Sequence, residues 1–65
     1  SLSEAAMAVL RCFKESPEKR LKVSEIEAET QFPRRTVQRS LGTLVELGFL
    51  QSLGQGPASR YQLVF

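Results

Sequence analysis

Sixty-five residues with 42% hydrophobic and 25% charged side chains have the composition of one small globular domain whose core is only marginally large enough to fold alone. A single cysteine, Cys12, with no His and no Asp excludes an internal disulfide and a Cys-based zinc cluster, and leaves no His-dependent general base. The net charge of +2 is uneven: residues 1–32 carry five Lys or Arg against six Glu, net −1, whereas residues 33–65 carry Arg34, Arg35, Arg39 and Arg60 against Glu46 alone, net +3.

In chain order, Ser3 is placed to cap a first helix, with Leu2 before it and Glu4 in the first turn, where negative charge is favourable. Ala6, Met7, Leu10 and Phe13 repeat at helical spacing, which predicts a helix to about Glu15 with those four residues inward. Pro17, in Ser16-Pro17-Glu18-Lys19, breaks it. Residues 21–23 alternate apolar and polar and predict one rung of an edge strand. Ser24 with Glu27 three positions on has the form of a capping box, predicting a short helix over residues 25–30 anchored by Ile26. Gln31 and Phe32 form the turn, with Phe32 tucked into it. Pro33 suits the first position of a third helix, where no N–H is needed.

The third helix, residues 33–47, is the most informative segment. Val37, Leu41, Leu44 and Val45 form its apolar face, and Gly48 is its left-handed stop. Arg34, Arg35, Thr36, Gln38 and Arg39 crowd its first two turns on the other side. These are the residue types that bond phosphate oxygens and base edges. No Glu stands at four-residue spacing to pair with Arg34 or Arg35, and Arg rather than Lys suits two-pronged contacts. The bland alternative is a solvated helix face. Ser40 and Thr43 are open to either side. Residues 49–53 and 60–65, separated by the Gly/Pro-containing loop 54–59, predict a β-hairpin in which Tyr61, Leu63 and Phe65 face inward. Arg60 at its return is placed to touch a phosphate, or else to lay its stem along Phe49 or Tyr61. The basic stretch Lys19, Arg20 and Lys22 is read equally as a flanking backbone contact or a solvated loop. Cys12 is expected as a small, half-buried thiol.

The expected fold is therefore a small α+β domain, a three-helix winged helix-turn-helix with a C-terminal hairpin wing, in the order α-β-α-α-β-β. The segments LSEAAMAVLRCF, LKVSEIEAETQFPRRTVQRSLGTLVELGFL and RYQL resemble the N-terminal domain of the IclR type of bacterial transcriptional regulators. That resemblance covers nearly the whole chain, and its strongest piece, P-x-x-T-V-x-R-x-L-x-x-L-V-E-L-G, is shared by many winged-helix families. It implies a DNA-facing helix bearing Arg34, Arg35, Thr36, Gln38 and Arg39, a cap from Ser24, and wing contacts from about Gln55 to Arg60.

The expected function is double-stranded DNA binding in bacterial transcription regulation, through the third helix and a wing at about residues 54–60, as a homodimer on two half-sites. The alternative is a winged-helix module appended to a larger enzyme or used to bind protein. Catalysis, cofactors and a small-molecule ligand within the domain are not expected. No apolar run approaches the ~20 residues of a membrane span and no signal peptide is visible, so the expected location is the cytoplasm. The chain lacks an initiator Met and opens on a helix, which predicts that residues 1–65 are a domain excised from a larger protein.

Overall fold

The computed structural model describes residues 2–54 and 59–64. Helix α1 spans Glu4–Lys14, α2 Val23–Thr30 and α3 Arg34–Glu46; strands β1 and β2 span Leu50–Leu53 and Arg60–Leu63. Three helices followed by an antiparallel hairpin form the winged helix-turn-helix arrangement expected from the sequence.

Ser3 caps α1 as expected, its Oγ accepting the Ala6 N–H at 3.1 Å. The face that α1 buries is Ala6, Val9, Leu10 and Phe13. Met7 is thus misplaced by the sequence reading: it is 40% exposed, because the buried stripe follows i, i+3, i+4, i+7 from Ala6 and Val9 takes the second place in it.

Leu21 pairs with Tyr61 as an isolated antiparallel bridge, so the expected edge strand is reduced to one residue. Its brevity follows from α2, which begins two residues earlier than the Ser24 cap predicts. Lys22 is the N-cap, extended at φ −88° and ψ 161°, and its N–H donates to Glu25 Oε1 at 2.8 Å. Lys22 has no side-chain acceptor, so only the returning half of a capping box exists, formed by Glu25 rather than Glu27. Ser24 lies exposed in the first turn.

Gln31 ends α2 in the left-handed region (φ 64°), its N–H bonded to Glu27 O at 2.8 Å. Thr30 Oγ1 donates to Ile26 O at 2.8 Å and accepts the Phe32 N–H at 3.2 Å, which sets Phe32 half-buried against the core. Pro33 precedes α3 as its N-cap, with φ −59° and ψ 150°, one position before its expected place. At the far end Gly48 turns left-handed (φ 87°). The Phe49 N–H bonds Leu44 O at 2.9 Å and the Gly48 N–H bonds Val45 O at 3.1 Å. This is the paired-bond helix stop that Gly favours because it has no Cβ.

The hairpin register is Leu50↔Leu63, Gln51↔Gln62, Ser52↔Tyr61 and Leu53↔Arg60. The core gathers Phe13, Val9, Ile26, Val37, Leu41, Leu44 and Leu50. Val45, Tyr61 and Leu63 pack half-buried against it. Helix α3 is therefore held on its inner side by α1, α2 and β1, and its remaining face is left to solvent.

Candidate nucleic-acid interface

The stripe Val37, Leu41 and Leu44 is fully buried and Ser40 is 5% exposed, which settles Ser40 inward. On the opposite side Arg34, Arg35, Gln38, Arg39, Gly42, Thr43 and Glu46 are exposed, and Thr36 is half-buried. Arg35, Gln38, Arg39 and Gly42 follow i, i+3, i+4, i+7 and share one face. Gly42 adds no side chain there, and a Cβ built on it meets nothing within 4 Å. The Thr43 hydroxyl turns back to donate to Arg39 O at 3.2 Å.

The cations differ in their partners. Arg34 Nε lies 3.3 Å from Glu27 Oε1, an ion pair across the α2–α3 turn. The absence of a Glu four residues away holds within α3 but does not leave Arg34 unpaired, because the left-handed break at Gln31 folds α2 back beside the start of α3. Arg35 and Arg39 make no ion pair among the described residues.

Arg60 is turned toward α2. Its Nη1 donates to Arg20 O at 3.5 Å and lies 3.8 Å from Glu25 Oε1. Beside it, Gln62 Nε2 donates to Glu18 O at 3.3 Å. The start of β2 is thus laced to residues 18–25. Of the expected wing, Gly54, Ser59 and Arg60 are described; the contacts expected from Gln55 to Ala58 lie outside the described residues. Glu25 and Glu27 went unassigned as cation partners in the sequence reading. The signal was their placement on the exposed and half-buried sides of a short helix next in sequence to the Arg-rich one.

Cys12 is half-buried in α1, its Sγ donating to Ala8 O at 3.5 Å. Burial pushes its pKa above the ordinary value of 9.0, and the carboxylates of Glu29 and Glu15 add to the shift against the opposing backbone hydrogen bond. A deprotonated thiol is the reactive species, so the shift lowers the reactive fraction of Cys12. Among the described residues no helix is long and apolar enough to cross a membrane, and no cluster of three or more His, Cys, Asp or Glu is placed to hold a metal ion.

The model of the IclR helix-turn-helix domain family matches residues 4–54. Comparison with curated protein sequences gives no match. Among solved structures, a protein of Methanosarcina mazei Go1 described as a possible transcriptional regulator superimposes with a TM-score of 0.86 at 23% identity, over 98% of this chain and 57% of that one. The present chain thus spans little more than half the length of that protein. Dissimilatory sulfite reductase D (DsrD) superimposes with a TM-score of 0.72 at 19% identity, over 95% of this chain and 92% of its own. At these identities the likeness is one of fold.

Proposed function

This chain belongs to the IclR helix-turn-helix domain family, and on that premise we propose that it binds double-stranded DNA in transcription regulation, with α3 in the major groove and the hairpin as a wing. The observation that carries the reading is the outer face of α3. Arg35, Gln38 and Arg39 stand together on it, exposed, and both Arg lack an ion partner among the described residues. Unpaired Arg beside an amide is suited to phosphate oxygens and purine edges, and the first turns of a recognition helix are where base contacts are made.

In this reading Arg34, Arg35, Gln38 and Arg39 supply contacts from α3, and the half-buried Thr36 offers its hydroxyl to a phosphate. Arg60 reaches the backbone of the duplex by exchanging Glu25 for a phosphate. The role is binding rather than catalysis. So few cations bind weakly from one domain, so two copies on adjacent half-sites act together. The protein-binding alternative calls for apolar surface at the start of α3, where the exposed residues are instead Arg34, Arg35, Gln38 and Arg39.

Fluorescence anisotropy of this chain with random-sequence duplex DNA across a salt series tests the reading. Three to four displaced counterions give a log–log slope of about −3. Absence of binding at low salt by the folded, concentrated domain overturns it.

A further inference from the structure

Resting on that DNA-binding reading, we infer that Glu27 is a positioning residue: it holds Arg34 so that the end of its guanidinium reads a guanine. The guanidinium has one N–H on Nε and four on the two Nη atoms. Glu27 Oε1 lies at the Nε edge, at 3.3 Å. That contact is an ion pair rather than a hydrogen bond; neither Nη hydrogen-bonds to a described residue, and the Arg34 side chain is 59% exposed. What stays free is the pair of terminal donors whose spacing matches O6 and N7 of guanine in the major groove.

Glu27 is well placed for this work. Its side chain is only 31% exposed, and its backbone carbonyl receives the Gln31 N–H that ends α2. One residue therefore both closes α2 and holds the first residue of α3. A base-reading side chain anchored to a rigid element loses less rotamer freedom on binding than a free one. Arg35 and Arg39, without partners, must be ordered by the DNA itself. The Glu25–Arg60 pair is a weaker counterpart. Its closest approach is 3.8 Å against 3.3 Å, and its carboxylate is more open to water, Glu25 being 51% exposed against 31% for Glu27.

The two roles of a carboxylate near DNA have opposite signs. As a charge, Glu27 repels phosphates, and its removal raises affinity for any duplex. As a strut, it sharpens choice, and its removal lowers the preference for guanine at one position. The experiment is selection of preferred sites from a random duplex library by the wild-type chain, followed by titration of the selected duplex and of versions changed at each G·C pair. Glu27→Gln is expected to raise affinity for random duplex while reducing discrimination at one G·C pair by several-fold. Arg34→Ala abolishes discrimination at that same pair, a loss of about 5- to 150-fold. Arg34→Lys, which keeps the charge but not the fork, flattens it as well.

An unchanged preference profile in Glu27→Gln overturns the positioning role. Loss of the preference on Arg35→Ala, with Arg34→Ala neutral, overturns the assignment of the reading residue. A wild-type chain that binds no duplex at low salt removes the DNA-binding reading itself, and a chain that binds with a steep salt slope but selects no guanine removes only the inference. Circular dichroism of each variant keeps a folding defect from passing as a loss of choice, and Glu27→Asp, which keeps the charge but draws the carboxylate back from Arg34, provides an independent arm: it is expected to reduce discrimination without raising affinity for random duplex.

Discussion

Leu21 and Tyr61 exchange both backbone hydrogen bonds, at 2.9 and 2.8 Å, and so fasten the hairpin to the segment between α1 and α2. An amide in such a pair exchanges with solvent only when the pair opens. The Leu21 and Tyr61 amides are therefore expected among the slow ones in hydrogen exchange followed by NMR, slower than that of Arg20. Equal rates would mean that the hairpin leaves the body of the domain freely.

Arg35 and Arg60 separate two kinds of cation. Arg35→Ala removes an unpaired contact on the outer face of α3 and is expected to weaken DNA binding by ~1–3 kcal/mol. Arg60→Ala is expected to lower the steepness of the salt dependence by about one unit while changing fold stability by less than about 1 kcal/mol, since its ion pair is exposed. An unaltered slope would assign Arg60 to holding β2 against Arg20 and Glu25 only.

Gly42 sits in the middle of α3 with open space around its α-carbon. Gly42→Ala is expected to stabilise the fold by roughly 0.5–1 kcal/mol, by restricting the unfolded chain and favouring helix. That corresponds to a rise of a few degrees in Tm for a domain this small. A fall in Tm on thermal unfolding would show that α3 needs the glycine for packing.

Cys12 gives a pH dependence of definite sign. Its folded pKa lies above the ordinary 9.0, so the unfolded chain releases the thiol proton first as pH rises. The stabilisation is complete below pH 9.0 and is lost as pH climbs through the folded value. Denaturant titrations of wild type and Cys12→Ser at neutral and strongly alkaline pH check this: wild type should lose more stability than the variant over that interval. Alkylation at neutral pH should be slow until denaturant is added.

How much of this was legible in the sequence depends on where each interaction lives. The helices, the Gly48 stop and the hairpin rest on local rules, and Ser3, Val37, Leu41 and Leu44 sit where periodicity and capping place them. Met7 and Val9 exchanged roles because they flank the stripe of Ala6, Leu10 and Phe13 on opposite sides of the helix, and only packing against the rest of the fold decides which flank is covered. Ser24 lost its cap because the chain enters α2 two residues sooner, at Lys22, directly after Leu21 bridges Tyr61, a partner far away in sequence. The Glu27–Arg34 pair was invisible for a similar reason: it spans a turn whose geometry is set by a left-handed Gln31, a conformation that residue type does not announce. The cationic face of α3 was readable because it is the complement of a periodic apolar stripe.

The bridge at Leu21 also decides which side of the sheet remains open to other chains. With β2 bridged at Tyr61 on its far side, the longer uninterrupted row of open backbone groups lies on the outer side of β1. That strand is four residues long, Leu-Gln-Ser-Leu. A row this short templates strand addition poorly, and brevity is one of the ways proteins blunt such an edge. Lengthening β1 would extend the row, and self-association by strand addition would increase with it, without any change to the cationic face of α3.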